Sequence, residues 1–300
     1  MLHDVIIVGG GPAGLNAALI LGRCRRRVLL CDAGTPRNAV SSGVHGFLTR
    51  DGETPGELRR IGREQLSPYD SVELRDCEVC EARCHGDSFE IVLAGGEQLS
   101  SRKLLLATGL LDDIPDIPGF AEFYGRGVYN CPYCDGWENR DQPIAVYGPG
   151  ERCVGLTLEM TLWSQDLVLL TDGPANLDDK KRKRLSKHGV RVIEDELVRL
   201  EGDTSGLRRI VLAKGRTLER KAVFLNYGER EGSLLTKMLG CELTGKGTVQ
   251  TGDYENTNVP GLYVAGDASR RVNFAIVAAA EGAMAAFAIN TELLRDELRA

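Results

Sequence analysis

A short run of apolar, β-branched residues at 5–8 ends in Gly9-Gly10-Gly11-Pro12-Ala13-Gly14, and this junction constrains the fold more than any other part of the chain. Residues 15–21 then favour a helix, 28–31 form a second strand-like run, and Asp32 follows. Strand, glycine turn, helix, strand and acid in that order describe a parallel βαβ unit with the spacing G-x-G-x-x-G. Gly9 permits the tight turn, Gly11 lets the backbone approach a pyrophosphate, and Gly14 lets helix and strand pack closely. The helix start then offers unpaired N–H groups and the positive end of its dipole to phosphates. Asp32 stands where an acid meets a ribose. A lone glycine motif could be no more than a tight turn; with both strands and the acid in place it predicts a dinucleotide site.

The layout recurs. Residues 144–147 are strand-like, Gly148-Pro149-Gly150-Glu151-Arg152-Cys153 forms the turn, 154–163 is helical in pattern, and 167–170 leads to Thr171-Asp172. The second signal is weaker, because Cys153 replaces the third glycine and Pro149 sits in the turn. It predicts a second nucleotide unit, at Gly148, Gly150 and Asp172, or a βαβ unit that has lost its ligand. Between the two, 88–93 and 103–107 read as strands, and the prolines and glycine of 114–119 read as a linker. A second crossing is expected at 240–247. A further strand, 259–265, ends in Gly266-Asp267, and a helix is expected over 273–290.

Three hundred residues make two domains the default. Hydrophobic residues at 42% and charged residues at 27% are ordinary for a globular protein, which excludes disordered and fibrous classes. A net charge of −6 gives no case for nucleic acid, and Lys180-Lys181-Arg182-Lys183-Arg184 reads as a solvated helix face. No run of apolar residues is long enough for a membrane span, and the first residues lack a signal-peptide pattern. Nine cysteines, mostly scattered, favour a reducing, cytoplasmic setting with one pair reserved for chemistry.

That pair is Cys131-Pro132-Tyr133-Cys134, followed by Asp135. Two thiols spaced C-x-x-C at a helix start can close a disulfide reversibly, and a helix N-terminus would lower the thiol pKa. Zinc is the alternative, but it needs further ligands, and Cys77, Cys80, Cys84 and His85 lack standard knuckle spacing. Cys80 and Cys84 could share one strand face; these thiols, with Cys24, Cys31 and Cys241, read as structural. Glutaredoxin also carries such a tetrapeptide, but near its start rather than between two nucleotide units.

In combination these motifs resemble the low-molecular-weight thioredoxin reductase family, an FAD-dependent disulfide oxidoreductase family, over nearly the whole chain. The resemblance implies an α/β fold of two Rossmann-like domains, with an FAD domain of 1–113 and 245–300 interrupted by an NAD(P)-binding-like domain, 114–244, that carries the disulfide. It assigns Gly9, Gly11, Pro12, Ala13 and Gly14 to the FAD pyrophosphate, Asp32 to its ribose, and Ala107, Thr108 and Gly109 to a further contact. Gly266 and Asp267 would hold the ribityl–phosphate region. Cys134 would be the thiol nearest the flavin, Cys131 the interchange thiol, and Asp135 the acid that protonates a leaving thiolate, or else a helix cap.

Departures bear on the second cofactor. Where NADPH-using members carry an arginine cluster, this chain reads Thr171-Asp172-Gly173-Pro174, and two glutamates typical of the following helix are Gly155 and Leu156. Asp172 would repel a 2′-phosphate and could accept from a ribose hydroxyl. Arg37-Asn38, His45-Gly46-Phe47-Leu48, Asp51-Gly52 and the stretch from Phe274, Ala275 and Ile276 to Glu281-Gly282 look like flavin dithiol oxidases of the same superfamily. His45 could then be a proton acceptor near the flavin, or a surface-loop histidine.

The expected function is a homodimeric, cytoplasmic FAD enzyme that reduces thioredoxin or a similar disulfide with NAD(P)H. Two alternatives stay open: oxidation of a small dithiol with O2 as acceptor, and electron supply by a protein such as ferredoxin. A non-catalytic flavin sensor is the competing class, and the intact Cys131/Cys134 pair argues against it. No metal, membrane or nucleic-acid partner is expected.

Overall fold

The structure, a computed structural model, describes residues 2–270 and 272–299. The chain divides into two compact units. One comprises 1–39, 47–111 and 230–300, the other 40–46 and 112–229.

The first unit is built on a seven-stranded sheet. Leu2–Val8 lies at its centre, parallel to Val28–Asp32 on one side and to Gln98–Leu106 on the other. Val72–Asp76 continues the parallel side, and Leu262–Val264 adds to Gln98–Leu106. Ser88–Leu93 and Val79–His85 extend the other edge antiparallel. Val5, Ile6, Ile7, Leu29 and Leu30 are fully buried, as expected where helices cover a parallel sheet. The Pro12–Arg23 helix packs along Ala275–Arg299 through small residues: a Cβ at Gly282 would lie 2.0 Å from the Ala13 carbonyl oxygen. The closing helix thus starts two residues later and runs nine residues further than its sequence pattern predicts. By length and composition it could cross a membrane; Ala278, Ala285, Ala286, Ile289 and Leu293 pack one face of it into this core.

The second unit has a five-stranded parallel sheet in the order Arg191–Ile193, Leu167–Leu170, Ile144–Tyr147, Ala222–Leu225, Val128–Tyr129. A separate antiparallel sheet joins Leu197–Asp203, Gly206–Leu212 and Thr217–Glu219. The basic run lies on the Asp179–Lys187 helix, capped by Asp178 accepting from the Lys181 N–H, with Leu185 its buried residue.

The division falls at 111/112 and 229/230, against sequence boundaries at 113/114 and 244/245. Leu235 and Leu239 explain the later difference, because they are buried in the core of the first sheet. Segment 40–46 belongs to the second unit because Val40 packs on Gly125, where a Cβ would lie 2.4 Å from the Val40 carbonyl oxygen.

Candidate active site

In the second unit, Cys131 and Cys134 are joined by a disulfide with Cα atoms 5.3 Å apart. Cys131 is the N-cap of a helix that spans only Pro132–Asp135, and its carbonyl accepts from the N–H groups of Cys134 and Asp135, each at 3.2 Å. Proline at the first helical position costs no hydrogen bond there. A single turn carries little macrodipole, so the sequence argument that a helix start depresses the thiol pKa loses most of its force.

Asp135 is half-buried at the last position of this turn, so it is no N-cap; Cys131 holds that place and makes no side-chain cap. Burial, and then the nearby Glu138 charge, raise its pKa to about 7, with His45 opposing the shift. His45 Nε2 lies 3.5 Å from Glu138 Oε1, and both side chains are partly exposed. Asn139 donates from Nδ2 to the Asp135 carbonyl at 2.7 Å, and burial raises the Tyr129 phenol beside it. The structure therefore brings Cys131, Cys134, Asp135 and His45 into one neighbourhood, with Glu138 and Asn139 as members that sequence reading passed over.

In the first unit the glycine turn is tight where it must be and open where a ligand would lie. Gly9 has φ +112°, and a Cβ there would sit 2.2 Å from the Ala107 carbonyl oxygen. A Cβ at Gly14 would sit 1.9 Å from the Gly9 carbonyl oxygen, while at Gly11 nothing lies within 4 Å. The Pro12–Arg23 helix has no side-chain cap, so its first N–H groups remain available to an anion. Asp32 is buried; Gly34 N–H donates to its Oδ1 at 3.0 Å, and Arg59 and Arg63 meet its Oδ2. Burial alone would raise this carboxyl, but the Gly34 N–H and the Arg59 guanidinium overcome it and hold the pKa low. These residues fit a dinucleotide: open N–H groups and a cradle for the diphosphate, an ionised acid for a ribose, and two guanidiniums beside it.

The Gly266–Asp267 turn is braced by groups far apart in sequence. Gly266 has φ +84°, and its N–H donates to Glu281 Oε2 at 2.8 Å. Arg270 Nε donates to Glu281 Oε1 at 2.7 Å, and Arg270 Nη2 meets both oxygens of Glu255. Asp267 pairs with Arg37 at 3.2 Å. Removing one partner from such a buried network leaves a charge uncompensated. Phe274 precedes the closing helix and accepts from the Ala278 N–H; Ala275 and Ile276 lie in its first turn.

The second glycine turn is filled from within. Cys153 is fully buried, its thiol raised to about 12 by that burial, and a Cβ at Gly148 would lie 2.9 Å from its Sγ. A Cβ at Gly150 would lie 2.3 Å from the Ala175 carbonyl oxygen. Asp172, assigned from sequence to a ribose, is engaged by the chain itself: Oδ1 accepts from the Leu197 N–H at 2.7 Å, and Oδ2 from the Tyr147 hydroxyl at 3.0 Å. Among the described residues, no group of three or more His, Cys, Asp or Glu is placed to hold a metal ion. Cys24, Cys80 and Cys84 are exposed thiols rather than packing residues.

A family described as pyridine nucleotide-disulphide oxidoreductase matches residues 3–282. A "probable thioredoxin reductase" of Arthroderma benhamiae is 30% identical, over 99% of this chain and 82% of its own. Among solved structures, HlmI is 39% identical with a TM-score of 0.95, covering 99% of this chain and 94% of that one. An oxidoreductase from Agrobacterium tumefaciens is 33% identical with a TM-score of 0.91, covering 98% and 99%. Members of this family use FAD, with NAD(P)H as the second cofactor. The chain belongs to the pyridine nucleotide-disulphide oxidoreductases and is an FAD-dependent disulfide oxidoreductase of the low-molecular-weight thioredoxin reductase type.

Proposed function

We propose that the chain reduces an external disulfide through Cys131 and Cys134, the reductase direction that the names of its relatives favour, with a thioredoxin-class protein or a similar disulfide as acceptor. The observation that carries this is the bonded Cys131–Cys134 pair on one helical turn with a carboxyl of pKa about 7. FAD supplies the two-electron step that opens the pair. Cys131 is the interchange thiol, and Cys134 closes the disulfide again. Asp135, about half protonated near neutral pH, gives its proton to the departing thiolate. His45 and Glu138 set the local charge that Asp135 feels. Gly9, Gly11, Pro12, Ala13 and Gly14 hold the FAD diphosphate and Asp32 its ribose. Ala107, Thr108, Gly109, Gly266, Asp267, Phe274, Ala275 and Ile276 complete that site. Unit one is then the FAD domain, and unit two the disulfide and pyridine-nucleotide domain.

A second reading runs the pair the other way: a small dithiol is oxidised to its disulfide while O2 becomes hydrogen peroxide. What favours it is the second glycine turn, where Cys153 and the engaged Asp172 leave little for a pyridine nucleotide. Anaerobic titration of the oxidised holoenzyme with NADH and NADPH decides between them. Rapid flavin bleaching by either supports the reductase. No bleaching, with fast reduction by a dithiol, supports the oxidase. Cys131→Ser should lose disulfide turnover while keeping its flavin, and full activity would end both readings.

A homodimer fits the exposed apolar side chains of the closing helix, Met284, Phe287, Leu294 and Leu298, with Tyr254 against Phe287. Sedimentation measures it. A reducing, cytoplasmic setting fits the seven unbonded cysteines.

A further inference from the structure

The redox turn is too short to hold itself in place. Within it the Cys134 and Asp135 N–H groups donate to the Cys131 carbonyl at 3.2 Å each, and the Gly136 N–H donates to the Pro132 carbonyl at 2.8 Å. Helices this short need support from the rest of the fold, and their last carbonyls have no partner within the helix. Asn139 supplies one from outside. The residue is only 9% exposed, and its Nδ2 donates to the Asp135 carbonyl oxygen at 2.7 Å. The same amide hydrogen-bonds the Tyr129 phenol, whose ring packs on Phe224 at 5.5 Å. Tyr129 and Phe224 lie opposite each other on paired strands, so the amide ties the end of the turn to the sheet from which its start emerges. A side-chain amide carries two N–H donors and no charge, so it can serve both oxygens without adding to the field around Asp135. That field comes from Glu138 just beyond the turn, His45 in segment 40–46, and the Tyr129 phenol on its strand.

We infer that Asn139 is a positioning residue for Asp135: its amide pins the backbone carbonyl of that residue and so keeps the carboxyl in its half-buried setting. The inference rests on Asp135 as the acid proposed above. In the reducing direction the Cys131 thiolate attacks one substrate sulfur, and the other sulfur departs with the bonding pair and takes the Asp135 proton. The Cys134 sulfur then attacks the Cys131 sulfur of the mixed disulfide, and the second half leaves with the proton of the Cys134 thiol. The enzyme dithiol loses two electrons, and the substrate gains them with two protons. Without the amide the turn loosens and water reaches the carboxyl. Its pKa then falls from about 7 toward the ordinary value near 3.8. The acid is lost at neutral pH and recovered in more acidic solution.

The test uses holoenzyme reduced anaerobically with dithionite, so it does not depend on the natural donor, and follows flavin reoxidation between about pH 5 and 8. Two disulfides serve as probes. Bis(2-hydroxyethyl) disulfide releases a basic thiolate that needs a proton as it leaves; 2,2′-dipyridyl disulfide releases a neutral thione that does not. Asn139→Leu keeps the volume and removes the donors, Asn139→Ala removes them without crowding the site, and Asn139→Gln keeps an amide. With the first disulfide, Asn139→Leu and Asn139→Ala should react about tenfold or more slowly than wild type near pH 8, and the deficit should close toward pH 5. With the second they should stay within about twofold of wild type throughout. Asn139→Gln should recover most of the lost rate. An equal loss with both disulfides at every pH, or no loss with either, overturns the inference and leaves the Asp135 acid standing. If Asp135→Asn itself reacts alike with the two disulfides relative to wild type, the acid reading fails and this inference with it.

Discussion

The two βαβ turns follow one course and finish differently. In the first, Gly14 meets the Gly9 carbonyl, Gly11 faces open space, and the acid at the strand end gathers two guanidiniums. In the second, a buried cysteine occupies the place of the third glycine, and the acid is matched by a phenol and a backbone N–H. Topology is shared; the space beside the turn and the charge around the acid are not. Both helices start without a side-chain cap and both acids are hydrogen-bonded within the chain, so the difference lies in the room left at the turn and in the guanidiniums that only the first acid gathers, which favour an anionic ligand.

The comparison can be broken or sharpened at four points. The largest effect is expected at Asp135, where the second unit retains thiol chemistry whatever its nucleotide site does. Asp135→Asn should slow disulfide reduction about 10²–10⁴-fold if the carboxyl is the acid. Wild-type turnover should fall as pH rises through about 7, and the variant should lack that limb. Stability follows the same sign. The folded state holds this proton more tightly than the unfolded chain, whose value is near 3.8, so the contribution is whole below that value and lost as pH rises through about 7. Thermal melts of the variant should show a flatter dependence over that window.

Gly14→Ala comes next. An ideal Cβ would lie 1.9 Å from backbone oxygen, so the turn itself must move. Strain of that kind should weaken FAD binding about ten- to a hundredfold, read by calorimetry on apoprotein. Wild-type affinity would remove the contrast between the turns. A smaller effect concerns the second cofactor: kcat/KM for NADH and NADPH should agree within about tenfold, and an NADPH preference above about a hundredfold, roughly 2.7 kcal/mol, would mean that cations elsewhere replace the missing cluster. The smallest is Cys153→Gly, which should raise pyridine nucleotide affinity a few fold, while lost helix propensity and the emptied core position cost about 1–3 kcal/mol in stability. No gain in affinity would show that Cys153 is not what closes the turn.

What could be read from sequence was local. Strand, glycine turn, helix and acid lie within one stretch of chain, and a C-x-x-C pair announces itself by spacing. What escaped was assembled across the chain. Glu281, Arg270 and Glu255 brace the Gly266 turn from positions with no motif of their own. Arg59 reaches Asp32 from a helix 27 residues away, and Leu197 and Tyr147 reach Asp172 across 25. Glu138 meets His45 only because 40–46 packs within the second unit. The pair's place at a helix start is legible from its spacing; that the helix is a single turn, Pro132–Asp135, is not.

The packing of the first helix against the last has a temporal consequence. Asn16 Nδ2 donates to the Ala279 carbonyl oxygen at 2.6 Å across 263 residues of sequence. Most of the second unit, 112–229, is a continuous stretch that can gather its contacts as it leaves the ribosome. The first unit must wait for its closing helix, and until then Ala13, Ala17 and Leu21 lack the partner that buries them. Loop closure over so long a span is slow, so the FAD-binding unit should mature last and be the part that chaperones hold during synthesis.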